Sequence, residues 1–358
     1  MRRNAGAEHG LAALLLSLAL IAPARAEIGQ IKTFRDWVAG CDNIRTCTAL
    51  SLPNEADEEV AFLRLDRPAG PDGAPSLALK LRRQKLKPRF EITLALDGAP
   101  FPAAGRRFQG SSNDGETAEI AFAPTDMDAL IATARKATVL TAKIEAQNYK
   151  LSLSGSVAAM LWIDEQQGRL NAPSALIRKG ATGTVPAATE PPFIAMKAPA
   201  GKPLARDQAA ALVKALRVAL NRREPDSCED TPEGFTDSDG VWPLNDATNL
   251  VVFACSRGAY NVASQFWLVP GHDVAKAKPA AFEGSRDKPG NELVNADFDP
   301  KTGRVMFFAK GRGIGDCGSS GSYGWNGTHF AVLQLSMMNE CRLIPGDDWI
   351  TLFQSREK

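Results

Sequence analysis

Histidine is scarce in this chain, with three in 358 residues. Once a leader is removed, only His272 and His329 remain to serve as a base beside a nucleophile. No Gly-x-Ser-x-Gly elbow accompanies them, so serine hydrolysis lacks its scaffold. Neither Cys-x-x-Cys nor His-x-x-x-His spacing occurs, which removes the usual zinc patterns, and no metal or cofactor is expected. Charge of one sign is missing as well. Lys and Arg number 42 against 41 Asp and Glu, for a formal net charge of +1. Phosphate contacts demand a marked basic excess, so nucleic acid is not an expected partner. Beyond residue 26 there is no long apolar run, so no integral membrane segment is expected after the leader.

What is present begins with that leader. Arg2 and Arg3 precede an apolar run from Leu11 to Ala22, and Ala24-Arg25-Ala26 forms a small-x-small cleavage box. Residues 1–26 therefore read as a signal peptide, and the expected location is periplasmic. Six cysteines follow, and export delivers them to an oxidising compartment where an even number means bridges. Among the fifteen possible connectivities, sequential pairing is preferred: Cys41 with Cys47, Cys228 with Cys255, and Cys317 with Cys341.

The mature chain is longer than one average core accommodates, so two domains are expected. Short alternating stretches such as Leu77–Leu81 and Phe90–Leu96 end at turn formers and predict mostly antiparallel strands. Thr125 with Asp128 makes a capping box ahead of a stripe of Met127, Leu130, Ile131 and Ala134. Ser156 is placed to cap a second helix ending near Gly168, with Asp164, Gln166 and Gln167 directed away from its apolar face. Thr182–Pro192, with three prolines and no aromatic, reads as an extended linker. It divides an N-terminal β-sandwich-like domain, residues 27–181, from a C-terminal α+β domain, residues 193–358. A helix is predicted from about Arg206 to Asn221 on a face of Ala211, Leu212, Ala215, Leu216, Ala219 and Leu220. Asp299–Gly303 and Asn326-Gly327 are hairpin turns.

Several of these residues are familiar as a set. Asp36-Trp37-Val38-Ala39-Gly40-Cys41-Asp42-Asn43, Thr46-Cys47-Thr48-Ala49, Lys310 to Gly318 and Glu340-Cys341-Arg342 resemble an uncharacterised bacterial family of exported six-cysteine proteins, domain of unknown function 1176. The resemblance spans nearly the whole mature chain and transfers no reaction, ligand or catalytic residue. Residues 34–168 are also similar to the invasion-associated locus B family of envelope proteins. The likeness rests on a Trp-bearing first strand, an early cysteine pair, an amphipathic helix, and Leu151-Ser152-Leu153-Ser154-Gly155 running into another helix. It implies a small β-sandwich with packed helices, linked to the envelope rather than to catalysis.

Gly313-Ile314-Gly315-Asp316-Cys317-Gly318 matches the dinucleotide fingerprint, but glycine, serine and a turn follow where a helix must open. A tight, disulfide-anchored loop is the preferred reading, and its N–H groups beside Lys310 and Arg312 form a candidate anion cradle. Lys80, Arg82, Arg83, Lys85, Lys87 and Arg89 place six cations in ten residues, read first as a solvated edge strand or hairpin and second as a patch for acidic glycan or lipid phosphate. Asp237-Ser238-Asp239-Gly240 and Asp297-Phe298-Asp299 are read as turns rather than calcium loops. His329 is placed in a strand with Leu333 and Leu335 on its side.

Together these features describe an envelope-associated binding or accessory protein of mostly antiparallel α+β fold. The candidate binding residues are Lys310, Arg312, Gly313, Gly315, Tyr323 and Trp325, where cations, amides and aromatics meet. An envelope glycan or another periplasmic protein is the expected partner. The alternative is a periplasmic hydrolase acting on peptidoglycan or a related glycan through paired carboxylates.

Overall fold

The protein is seen here in a computed structural model that describes residues 27–57, 59–102, 105–223, 228, 236, 239–283 and 290–357. Residues 1–26, read as a leader, and Asp237 and Ser238 lie outside the described residues. From the amino end run strands β1 (Gln30–Phe34), β2 (Trp37–Cys41), β3 (Cys47–Ser51), β4 (Val60–Arg67), β5 (Ser76–Arg82), β6 (Arg89–Leu96), β7 (Ala99–Phe101), β8 (Phe108–Ser111) and β9 (Thr117–Ala121). Helix α1 (Pro124–Ala134), β10 (Val139–Ile144), β11 (Gln147–Ser152) and helix α2 (Ser156–Gln166) follow. One antiparallel sheet has the order β1-β2-β3-β4-β5-β9; the second has the order β11-β10-β6-β7, with β8 also on β6.

Alternation explains how these sheets meet. In β6, Phe90, Ile92, Leu94 and Leu96 are buried while Arg89, Glu91 and Thr93 face water, the pattern of a sheet with one covered face. The buried residues join Leu63, Leu65, Leu79 and Leu81 of the first sheet in one core, which α1 and α2 close. Every residue of β2 and β3 is buried, because these strands are covered on both faces. Trp37, Ala39 and Ala49 point into that core, while Val38, Leu50 and Leu52 point out of it toward the second half of the chain.

The second half contains β12 (Phe193–Ile194), helix α3 (Arg206–Arg223), β13 (Gly240–Asn245), β14 (Thr248–Arg257), β15 (Val262–Pro270), β16 (Lys278–Pro279) and β17 (Glu292–Val294). It continues with β18 (Asp297–Asp299), β19 (Arg304–Lys310), β20 (Gly318–Trp325), β21 (Phe330–Met338), β22 (Ile350–Gln354) and β23 (Arg356–Glu357). A third sheet, β13-β14-β15-β16 with β17 on β15, packs one face under α3. Its other face meets the fourth sheet, β18-β19-β20-β21-β22, through Val252, Phe266, Phe282, Phe330 and Phe353. The short β12–β23 pair is parallel. Sheet pairing among the described residues is otherwise antiparallel, and with three α-helices among them this is the α+β class that the sequence predicts.

The two halves share an apolar seam. Val38, Leu50, Leu52 and Phe62 pack with Met338, Ile344, Trp349, Ile350 and Leu352. Gly29 N–H donates to the Leu352 carbonyl at 2.8 Å, and the buried Asp42 carboxylate accepts from Gln354 Nε2. Disulfides join Cys41–Cys47, Cys228–Cys255 and Cys317–Cys341, the sequential pairing.

Several local expectations are corrected. Helix α1 starts at Pro124 with Ala123 as N-cap and no side-chain cap, because proline's fixed φ suits the first helical position better than Thr125 suits a cap. Helix α2 is capped by Gly155 at φ 100° rather than by Ser156. A Cβ on Gly155 would sit 1.7 Å from the Phe34 carbonyl oxygen, so only glycine fits. Ser156 instead donates to the Leu153 carbonyl. Asp164 and Gln167 turn inward: Asp164 accepts the Leu176 and Ile177 amides at 2.8 and 2.9 Å beside the buried Arg67 and Arg169. The buried stripe of α3 is Ala209, Leu212, Val213, Leu216 and Leu220, so the larger side chains rather than the alanines choose its face. His329 lies just before β21, held by Asn326 and facing Glu283 at 3.5 Å.

Candidate functional site

The fold brings the end of β5 toward the loop that follows β19. Lys80 and Arg82 alternate with the buried Leu79 and Leu81, so they stand on the face of the first sheet that meets the second half. β5 lies between β4 and β9 in the interior of its sheet, so the six-cation run is not an edge strand; it is the end of an inner strand and the crossing to β6. Opposite, Lys310 ends β19, and Ile314 and Gly315 follow in the loop. Between them lies a cleft of about 1010 Å³, lined by Arg82, Arg83, Lys310, Gly315, Ser320 and Asp347 among others. It continues into a narrower groove of about 560 Å³ that shares Arg82, Pro345 and Asp347.

The cations in this cleft differ in their commitments. Lys80, on the groove side, is held by Glu119 at 2.6 Å and Asp348 at 3.3 Å, which keep its ammonium above the ordinary range despite burial. Arg83 faces Glu59 at 3.7 Å and Glu145 at 3.6 Å and hydrogen bonds the Tyr149 hydroxyl. Burial opposes its charge, but these partners outweigh burial and hold it above the ordinary range. Burial and the bond to Glu59 push the Tyr149 hydroxyl well above its usual value, so it stays a donor. The Arg82 guanidinium and the Lys310 ammonium have no ion-pair or hydrogen-bond partner among the described residues. Glu59, Glu116 and Asp347 line the same space, so the cleft offers both signs of charge.

The predicted site residues divide between this cleft and the interior. Lys310 and Gly315 line the cleft. Arg312 does not: its Nε donates to Asp316 Oδ1 at 2.7 Å, and its Nη2 donates to Asp316 Oδ2 and to the Cys341 carbonyl. Gly313 turns the other way, toward the Tyr260 ring. Tyr323 and Trp325 are each 3 % exposed and belong to the core, packed against Phe282 and Phe330. Their rings are therefore not a platform for a ligand; in β20 these positions face the third sheet. Burial pushes the Tyr323 hydroxyl up to about 12.

The loop itself is tight. Gly311 N–H donates to the Cys317 carbonyl and Gly315 N–H to the Arg312 carbonyl, so these amides serve the turn rather than an anion. Gly318 sits at φ 132°, where a Cβ would fall 2.0 Å from the Ala309 carbonyl oxygen. A strand, β20, follows the glycines, so no helix end faces a phosphate. Asp299 accepts from the Lys301 amide and the Thr302 hydroxyl, a closed turn at the end of β18. Asp239 accepts the Thr236 and Ala254 amides and pairs with Arg217.

Sequence reasoning singled out Arg82 and Arg83 as part of a charged run and Lys310 as part of a loop, without placing them together. Glu59, Tyr149 and Ser320 carried no sequence signal, because their roles arise only where two distant segments meet. Among the described residues no helix is long and apolar enough to cross a membrane.

No solved structure matches this chain. Over 367 residues it is 29% identical to the uncharacterized protein YpfG of Escherichia coli (strain K12), an alignment covering 96% of this chain and 97% of that protein. Residues 31–356 match the family described as protein of unknown function (DUF1176), and the chain belongs to that family.

Proposed function

We propose that the chain is exported to the periplasm and acts there as an envelope-associated binding or accessory protein, taking a charged ligand in the cleft between its halves. One observation carries the reading: Arg82 of β5 and Lys310 of β19, more than two hundred residues apart, line one cleft with no partner of their own. Cations left without an ion pair in a concave site are what a ligand's acidic groups require. Because Glu116 and Asp347 line the same space, the ligand carries both carboxylate and ammonium groups, as the peptide stems of peptidoglycan do. The leader read at residues 1–26 and the three disulfides support an envelope location.

The test is calorimetric titration with soluble peptidoglycan fragments. Replacing Arg82 and Lys310 together by alanine is expected to weaken binding by about tenfold or more while thermal unfolding stays nearly unchanged. Unaltered affinity in that variant would remove the cleft as the site. Fractionation of cells, with an intact mass beginning at Glu27, tests the location.

A further inference from the structure

A second concavity, on the other side of Glu59, has a different construction. It measures about 1070 Å³ and runs between β11 and the connection from β3 to β4. Among the described residues β11 pairs only with β10, so its outer side is a sheet edge. The two-residue turn Glu145–Ala146 makes Ile144 and Gln147 the first hydrogen-bonded pair of the hairpin. Bonding then alternates, and the amides and carbonyls of Gln147, Tyr149 and Leu151 face β10 while those of Asn148, Lys150 and Ser152 face outward. The surrounding bonds agree: Leu153 N–H donates to the Thr138 carbonyl, and the outward Ser152 carbonyl accepts Trp37 Nε1 at 2.9 Å. That indole closes one end of the edge. Asn148 and Lys150 are exposed, and their outward main-chain groups have no partner among the described residues.

The groove along this open stretch carries charge of one sign in excess. Asp36, Glu55, Asp57 and Glu59 line it against Lys150 and Arg342; Glu59 already accepts from Tyr149 and faces Arg83, Glu55 lies 3.8 Å from Arg312, and Asp57 has no ion pair among the described residues. Arg342 is already engaged by the Pro53 carbonyl and lies 3.9 Å from Asp36. We infer that an extended basic polypeptide segment docks here as an added strand on β11, its main chain bonding Asn148 and Lys150 and its lysine or arginine side chains meeting the carboxylates. Open strand edges recruit partners in this way, with main-chain bonds supplying affinity and side-chain surroundings supplying choice. This site shares Glu59 with the cleft but not Arg82 or Lys310, and its test, which leaves Glu59 unaltered, stands whatever the cleft binds.

The experiment titrates the mature protein with a fluorescent peptide of sequence Lys-Val-Lys-Val-Lys-Val. The controls are its Glu-for-Lys counterpart and a copy N-methylated on alternate residues. The basic peptide is expected to bind, and both controls to bind at least about tenfold more weakly. The amide resonances of Asn148 and Lys150 should shift on binding. Asp57→Asn combined with Glu55→Gln should weaken the basic peptide severalfold and flatten its salt dependence. Lys150→Pro removes one outward donor at a position an edge strand tolerates; should it misfold, the methylated peptide still decides, since it leaves the protein unaltered. Equal affinity for plain and methylated peptides would overturn the proposal. So would a dimer in sedimentation that Lys150→Pro dissolves, because the edge would then belong to a second copy.

Discussion

Arg312 grips the Asp316 carboxylate with both arms of its guanidinium, at 2.7 Å from Nε and 2.5 Å from Nη2, and the same side chain reaches the Cys341 carbonyl. Asp316 also accepts the Leu343 amide at 2.7 Å. The pair thus ties the loop after β19 to both ends of the Cys317–Cys341 bridge, which is scaffolding for the cleft.

Arg312→Ala is expected to lower stability by about 1–2 kcal/mol, a figure held down because the guanidinium is a third exposed to water. Arg312→Lys should recover only part, since an ammonium cannot reproduce the planar fork. Urea unfolding measures both. Burial raises the Asp316 carboxyl, but Arg312 and the Leu343 amide outweigh it and hold the group below its ordinary 3.8. Its stabilising share is therefore complete above that value and lost as pH falls through the lower folded one.

Trp325→Ala removes a ring that is 3 % exposed and 5.2 Å from Phe330, centre to centre. A loss of about 3–5 kcal/mol is expected. Thermal unfolding is the measurement, and an unchanged melting temperature would contradict the placement of this side chain in the core.

Asp42 responds to pH in the opposite sense from Asp316. Burial outweighs the hydrogen bonds from Gln354, Thr46 and Ile44 and holds its carboxyl above the ordinary 3.8. The folded state then favours the protonated form, so the ionised group costs stability above the raised value, and the cost vanishes as pH falls to 3.8. Asp42→Asn keeps an acceptor for the Ile44 and Thr46 amides, offers an N–H in place of the oxygen that accepts from Gln354 so that the Gln354 amide turns over to accept it, and carries no charge. It should melt higher than the parent at pH 7 and lose that advantage below about pH 4; a lower melting temperature at pH 7 would contradict this.

Asp164 is fully buried near Arg67 and Arg169 and acts on them through space without an ion-pair contact; their guanidiniums meet carbonyls of Gly70, Gly73 and Ser174 and the side chains of Gln167 and Ser174. Burial and repulsion from Arg169 lower Arg67 to about 10, against the pull of Asp164. Asp164→Ala leaves two buried cations without a counter-charge and strands the Leu176 and Ile177 amides. A loss of about 3–5 kcal/mol is expected in denaturant unfolding.

How far residues announce these arrangements depends on the range of the interaction. The Leu130–Ile131 stripe, the Phe90–Leu96 alternation and the Asn326-Gly327 turn are short-range patterns, and strands and helices appear where they indicate. Helix starts are subtler: Pro124 and Gly155 displace the hydroxyl caps through backbone geometry that composition only hints at. The site is harder still. Nothing in Lys80-Leu81-Arg82 says that Lys310 will face it, and the glycine-rich stretch near Tyr323 looks like surface although the ring is buried, since a third sheet lies over it.

The apolar surface shared by Val38, Leu50 and Phe62 with Ile344, Trp349 and Ile350 has a consequence for handling the molecule. A protease that nicks the extended stretch 182–192 should not release two soluble pieces. The fragments would co-elute in native chromatography and separate only in denaturant, and residues 27–181 made alone would bare that oily seam and precipitate.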